Sequence, residues 1–234
     1  MNVYGLLERS ATQWPRRPAI IDEYGALDYQ TLLGNVEDVR RQLRGLGVAP
    51  GQGVGVMARN GRAFVIGVFG ALGCGATVLP MSPRLRPAEI DAFFSAARVH
   101  AVMDDTTSLP PVETPSAEVS LPGASPMRFA WTAADRNRPC VEIVSDAAFA
   151  RFTSGTTSRS KGVVLTHRGV IERTAAANRR LALGCEDTVI WVLPMAFHFF
   201  VSIILYLRVG AAIAVCPDLL AESVLETANR HDGT

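Results

Sequence analysis

The stretch from Phe152 to His167 reads FTSGTTSRSKGVVLTH and joins two strand-like patterns through a polar loop. The first pattern runs from Ala148 to Phe152, and the second runs from Val163 to Thr166. Five of the six residues 153–158 carry a hydroxyl group, and the sixth is Gly155. Hydroxyl and backbone N–H groups in a glycine-containing turn can surround an anion. Composition alone therefore leaves two alternatives about even, a phosphate-binding loop and a solvated hairpin loop.

Lys161 adds a compact, mobile positive charge of the kind that contacts β- and γ-phosphates. It is the only lysine in the chain, whose other basic residues are all arginine. The loop differs from a Walker A sequence because Gly162 follows the lysine and a strand pattern, not a helix, comes next.

The composition of the whole chain excludes several classes of protein. Its 234 residues have a formal net charge of +1, 48% hydrophobic residues and 19% charged residues. A chain of this kind is not intrinsically disordered, and it lacks the global basic field of many nucleic-acid binders. Four cysteines without a C-x-x-C pair disfavour a disulfide scaffold. We therefore expect a cytoplasmic protein without a signal peptide and without a nucleic-acid partner.

Two uncharged runs, 63–83 and 188–207, are long enough for a transmembrane helix. Glycines and Pro80 interrupt the first run, and Pro194 and His198 interrupt the second. The first is predicted to be a buried helix, a turn and a short strand, and the second a strand followed by an apolar helix beginning near His198. No membrane span is expected.

Helix and strand patterns alternate along the rest of the chain. Apolar residues recur at helical spacing from Leu32 to Leu43, Pro87 begins another helix, and the runs GVGVMA (53–58) and VHAVMDD (99–105) predict strands. This order of fully apolar strands and helices predicts an α/β fold with mostly parallel sheets flanked by helices.

One segment breaks the alternation. Residues 105–126 are rich in Pro, Ser and Thr and are predicted to be a long surface connection, with regular structure returning at Val141. Asp104 and Asp105, where this segment begins, are interpreted as a solvated strand end rather than a catalytic pair. The segment divides the chain into subregions of about 1–104 and 141–234.

The loop resembles the phosphate-loop signature of the adenylate-forming acyl- and aryl-CoA synthetases, the AMP-binding enzymes. Their pattern is Thr-Ser-Gly-Thr-Thr-Gly-x-Pro-Lys-Gly with a later Thr-His, and here Ser158 and Ser160 replace the second Gly and the Pro. Three further stretches are similar to family segments in the family's order: LDYQTL (Leu27–Leu32), GALGCGATVLPMSP (Gly70–Pro83) and LPMAFHFF (Leu193–Phe200). The chain is thus expected to be part of the large domain of such an enzyme.

The resemblance implies roles for individual residues. The phosphate oxygens of ATP would be held by Thr153, Ser154, Gly155, Thr156, Thr157 and Lys161. Lys161 and His198 would be catalytic, with His198 where the acyl group meets the nucleotide. Without the resemblance, His198 would more simply be a core or capping histidine with one backbone partner. His167 is expected to cap or orient the next helix. A hydrolase built on Ser154 is a poorer alternative because the chain has no G-x-S-x-G motif.

The resemblance also implies an activity. The enzyme would form an acyl-adenylate from a carboxylic acid and ATP with Mg²⁺, and would then pass the acyl group to coenzyme A. The aromatic neighbours of His198 (Phe197, Phe199 and Phe200) favour a fatty or aryl acid. No metal ligand is expected from this chain itself.

Family members are longer, and this sequence contains no Tyr-Gly-x-Thr-Glu segment and no C-terminal domain. Residues 1–234 are therefore expected to be the N-terminal part of the AMP-binding domain and to be inactive alone. The alternatives are a stand-alone nucleotide- or anion-binding module and one subunit of a split ligase. The apolar residues near the end, with an unpaired sheet edge expected at Ala211–Val215, predict a homo-oligomer or a complementary C-terminal chain.

Overall fold

The fold is that of a computed structural model, which describes residues 2–105, 116–153 and 161–234. Side chains are described at all of these positions except 92, 95, 96, 152, 153 and 161. The helices are α1 (Tyr4–Gln13), α2 (Tyr29–Gly45), α3 (Arg62–Gly73), α4 (Pro87–Ala96), α5 (His167–Leu181), α6 (Met195–His198), α7 (Ile204–Val209) and α8 (Ala221–Arg230), with a π-helix (Phe199–Ile203) between α6 and α7.

Strands alternate with these helices, and the predicted α/β fold class is confirmed. The strands are β1 (Pro18–Asp22), β2 (Gly25–Asp28), β3 (Gly53–Met57), β4 (Thr77–Met81), β5 (Ala101–Asp104), β6 (Ala117–Val119), β7 (Met127–Trp131), β8 (Ala147–Thr153), β9 (Lys161–Thr166), β10 (Thr188–Trp191) and β11 (Ala212–Val215).

Among the described residues, the strands form two sheets. The large sheet has the order β6-β7-β5-β3-β4-β8-β9, and the small sheet has the order β10-β11-β1-β2. The central pairs of both sheets are parallel, whereas the pairs β5–β7, β6–β7, β8–β9 and β1–β2 are antiparallel. Each sheet combines strands from before and after residues 105–141, so the two subregions share both sheets.

The predicted unpaired edge at Ala211–Val215 is wrong. Strand β11 lies inside the small sheet, where Ile213 is in register with Ile20 of β1 and with Val189 of β10. The sequence near β11 could not reveal this pairing, because the strand that covers it comes from the other end of the chain.

Helix α3 is the buried helix predicted in the first uncharged run. Every residue from Phe64 to Leu72 is buried. It packs closely against α2 because Gly70 has no side chain: a Cβ atom at that position would come within 2.6 Å of Val39 Cγ1. Within the parts of the chain that the structure describes, no helix is long and apolar enough to cross a membrane.

The predicted surface connection at 105–126 is wrong at Ala117–Val119, which form strand β6. Residues 106–115 lie outside the described residues, but β6 and β7 add two strands to the large sheet before Val141. Met127 and Phe129 are buried, and β7 pairs with β5. The interpretation of Asp104 as a solvated strand end is also wrong, because Asp104 is buried and its carboxylate lies 3.2 Å from Arg128.

His100 is fully buried beside β5 and holds three backbone groups. Its Nδ1 accepts a hydrogen bond from the Gly53 N–H (2.7 Å), so Nε2 carries the proton and faces the carbonyl oxygens of Asp135 (3.2 Å) and Arg138 (2.9 Å). Burial lowers the pKa of His100, and the bonds to Arg138 and Asp135 oppose this only in part.

A histidine with a lowered folded-state pKa makes stability depend on pH. Between the ordinary histidine pKa of 6.5 and the lower pKa of the folded state, the unfolded chain binds more protons than the folded chain, so stability falls as the pH drops from 6.5 through this range. We expect urea unfolding to show that His100→Gln loses less free energy of unfolding on acidification than the unsubstituted protein does. Burial lowers the pKa of His167 as well, so part of the loss should remain. This prediction would be contradicted if His100→Gln lost as much free energy of unfolding on acidification as the unsubstituted protein.

Candidate functional site

The predicted phosphate loop lies between two paired strands. Strands β8 and β9 form an antiparallel hairpin whose last pair is Thr153 and Lys161. Ser154, Gly155, Thr156 and Thr157 fall in the stretch 154–160, outside the described residues, and only the backbone is described for Thr153 and Lys161. The structure therefore places the two ends of the loop, and the roles of its side chains stay predictions.

The hairpin is fixed to the large sheet through β4. Phe149 of β8 is in register with Val78 of β4, and the Thr77 hydroxyl donates to the Ala147 carbonyl oxygen (3.2 Å). Because β8 runs parallel to β4, the loop lies at the edge where the central strands end. Ligands bind outside this carboxyl edge in open α/β sheets.

Helix α5 follows the hairpin, and His167 does not cap it, so of the two predicted roles only that of orienting the helix stays a prediction. The cap is Thr166, whose hydroxyl oxygen accepts from the Gly169 N–H (2.9 Å). His167 is the first residue of the helix, and its Nδ1 accepts from the Val3 N–H (3.2 Å). His167 therefore joins the hairpin to the beginning of α1.

His198 ends the short helix α6 and precedes the π-helix. The helix predicted to begin near His198 begins three residues earlier, at Met195. The imidazole ring of His198 packs against the ring of Trp191 in a T-shaped arrangement, with 5.7 Å between ring centroids and 71° between ring planes. It makes no hydrogen bond within the described part of the chain. The alternative of a histidine satisfied by a backbone partner therefore gains no support.

Arg151 brings the hairpin and the His198 segment together. Its guanidinium lies 5.9 Å from the ring centroid of Phe197 and 5.8 Å from that of Phe200. The ring centroids of Phe149 and Phe200 are 5.9 Å apart. Sequence reasoning missed Arg151, although it is the only charged residue of β8.

A cleft of about 450 Å³ lies beside the start of α6. It is lined by residues that follow the ends of strands in both sheets, among them Ala58, Ser82 and Cys216, and by Met195 and Ala196 of α6. Clefts of this size commonly bind small molecules. Among residues 2–105, 116–153 and 161–234, no group of three His, Cys, Asp or Glu side chains could hold a metal ion.

The sequence matches the AMP-binding enzyme family over residues 7–234. This chain belongs to the AMP-binding enzyme family. The resemblance inferred from the four motifs is therefore confirmed, and with it the assignment to adenylate-forming enzymes.

Two relatives illustrate the match. Tyrocidine synthase 3 of Brevibacillus parabrevis is 27% identical over 217 residues, which are 92% of this chain and 3% of that protein. Zwittermicin A synthase ZmaJ of Bacillus cereus is 24% identical over 233 residues, which are 98% of this chain and 44% of that protein. The chain thus spans less than half the length of these relatives. Their names do not support the narrower expectations of an acyl-CoA synthetase, coenzyme A and fatty-acid metabolism.

The fold is also similar to that of solved structures. The N-terminal subdomain of NpsA from Klebsiella oxytoca has a TM-score of 0.78 at 18% identity, and the match covers all of this chain and 58% of that one. At this identity the likeness concerns the fold alone.

Proposed function

We propose that this chain carries the ATP phosphate site and one wall of the acid pocket of an enzyme that converts a carboxylic acid to its adenylate. The observation that supports this most strongly is the contact of Arg151 with Phe197 and Phe200. Through this contact the hairpin that bears the family's phosphate loop meets the segment that bears His198, at the carboxyl edge of the sheet.

The loop residues fit the chemistry of ATP. Hydroxyl and N–H groups of Thr153 to Thr157 would donate to phosphate oxygens, and Lys161 would neutralise charge as pyrophosphate leaves. Phosphoryl chemistry depends mainly on such positioning and neutralisation. Mg²⁺ would be bound largely by the phosphates themselves, as is usual for this ion. His198 would contact the acid where it meets the nucleotide.

The residues around His198 favour an apolar acid as substrate. Trp191, Phe197 and Phe200 are aromatic, and Arg151 is a cation, so this wall complements a carboxylate and an aryl or alkyl group. An amino acid would also need a carboxylate for its ammonium group, and none contacts His198 or Arg151 in the described part of the chain. We therefore propose a fatty or aryl acid as the substrate, with an amino acid as the alternative.

The acceptor of the acyl group is proposed to be a pantetheine thiol. Coenzyme A presents this thiol in free form, and a carrier protein presents it covalently attached. The family resemblance favours coenzyme A, and a carrier protein is the alternative. The two could be distinguished with an enzyme that combines this chain with the rest of the active site. Coenzyme A or a phosphopantetheinylated carrier would be added to it, and transfer of the acyl group would be measured.

Lys161→Ala should weaken the binding of ATP–Mg²⁺. A hydrogen bond to a charged group contributes about 1.5–3 kcal/mol, so the affinity should fall roughly 10- to 150-fold. Isothermal titration of the chain with ATP–Mg²⁺ would measure the loss. Arg168→Ala is the matched control because Arg168 is an exposed cation paired with Glu172, and its loss should leave the affinity unchanged. Equal affinities in Lys161→Ala and the unsubstituted protein would refute the assignment of the loop.

The 234-residue chain alone should not catalyse carboxylate-dependent pyrophosphate exchange at a useful rate. Groups of one active site act together, and this sequence lacks the family's Tyr-Gly-x-Thr-Glu segment. The exchange assay should use a panel of fatty, aryl and amino acids. Turnover that appears only after a second chain is added would favour a split ligase. ATP binding without turnover under any condition would favour a stand-alone binding module.

A further inference from the structure

Asn60 holds the backbone just before His198 from another part of the fold. Its side-chain amide donates to the Leu193 carbonyl oxygen (2.9 Å), and its Oδ1 accepts from the Met195 N–H (2.8 Å). Asn60 lies in the connection between β3 and α3, more than 130 residues away in sequence. Two hydrogen bonds from one side chain thus bracket Pro194.

Helix α6 needs this contact because it has no cap of its own. The first N–H groups of a helix have no partner within the helix, and a side-chain oxygen of the preceding residue usually accepts one of them. Here the preceding residue is Pro194, whose side chain has no oxygen. Met195 is buried, so its N–H would otherwise lack both a partner and water. Asn60 supplies the missing cap.

The neighbours of Asn60 anchor the same connection to other strand ends. The Arg59 N–H donates to the Asp105 carboxylate after β5 (3.0 Å), and the Arg62 N–H donates to the Asp22 carboxylate at the end of β1 (2.8 Å). The connection is therefore held on both sides of Asn60, and its amide has a defined position from which to hold α6.

We propose that Asn60 is a positioning residue for His198. Its side chain supplies the capping hydrogen bond at the start of the short helix that carries His198. Asn60 fixes the start of α6, and α6 sets the place of the imidazole ring against Trp191. The catalytic meaning of this role rests on the proposed function, in which His198 contacts the acid. The geometric role does not, and it can be measured on the chain without any substrate.

The NMR signals of the imidazole C–H groups report the position of His198. The ring of Trp191 packs against this ring at 5.7 Å between centroids, so the ring current of the indole shifts the His198 signals by an amount that depends on the distance and angle between the two rings. The spectrum of His198→Gln identifies these signals by their absence. Asn60→Ala should move them by more than one linewidth at constant pH.

Asn178 offers a matched control. Its side chain makes the same pair of bonds, donating to the Leu183 carbonyl oxygen (3.0 Å) and accepting from the Leu183 N–H (3.1 Å), after α5. Asn178→Ala should leave the His198 signals in place although it removes the same two bonds. Equal displacement in both variants would mean a general loss of structure and would overturn the proposal.

A second variant covers the case in which Asn60→Ala does not fold. Asn60→Asp keeps the acceptor for Met195 and loses the donor to Leu193, so the His198 signals should move by a smaller amount. Unmoved His198 signals in a folded Asn60 variant would overturn the proposal. The proposed function is tested by a different measurement. If Lys161→Ala bound ATP as tightly as the unsubstituted protein, the proposed function would fail, but the displacement of the His198 signals in Asn60→Ala would be unaffected.

Discussion

Replacing Arg62 by Met should lower the free energy of unfolding by about 3–5 kcal/mol, because it leaves the carboxylate of Asp22 buried without its counter-charge. Both side chains of the pair are 5% exposed, and their closest atoms are 2.6 Å apart. The guanidinium also donates to the carbonyl oxygens of Gly25 (2.5 Å) and Gly123 (3.3 Å). Urea unfolding at neutral pH would measure the loss.

The effect comes from burial rather than from the ion pair as such. Arg168 and Glu172 form an i,i+4 pair on the exposed side of α5, and Arg168→Met should cost only about 0.3–0.5 kcal/mol. The double variant Arg62→Met with Asp22→Leu should be more stable than the sum of the single losses predicts, since it leaves no unpaired charge. Similar losses in Arg62→Met and Arg168→Met would show that the Arg62 site is open to water.

The elements that the sequence predicted are those whose signals are local. Spacing of apolar residues located α2, and glycines together with Pro80 divided the first uncharged run into α3 and β4. The loop of the candidate site was found in the same way, because its hydroxyl groups and Lys161 are contiguous in the chain. In each case the residues that carry the signal are neighbours in the chain.

The features that the sequence did not predict depend on distant partners. Strand β7 was missed because it follows a Pro-rich segment, and its place beside β5 comes from pairing. The burial of Asp104 depends on β7 as well, since Arg128 supplies its counter-charge. Asn60 is an ordinary loop residue in sequence, and its role as a cap appears only when Met195 is brought next to it.

Phe199→Ala should lower the free energy of unfolding by about 3–5 kcal/mol, the usual cost of deleting a buried phenylalanine ring. Phe199 is fully buried in the π-helix. Its ring centroid lies 5.6 Å from that of Phe64, 5.9 Å from that of Phe69 and 6.2 Å from that of Phe149. The ring therefore joins α3 to strand β8, and the cavity would open between them. Chemical denaturation followed by circular dichroism would measure the change.

Phe197 is the matched control, two residues away in the same run of aromatic residues. Its side chain is 44% exposed and contacts the guanidinium of Arg151. Phe197→Ala should cost roughly 0.5–1 kcal/mol, the contribution of a cation–π contact at an exposed site. If Phe197 lines the acid pocket as proposed, its loss should weaken acid binding in the completed enzyme far more than it weakens the fold. Equal losses of stability in the two variants would mean that the π-helix does not pack between α3 and β8 as described.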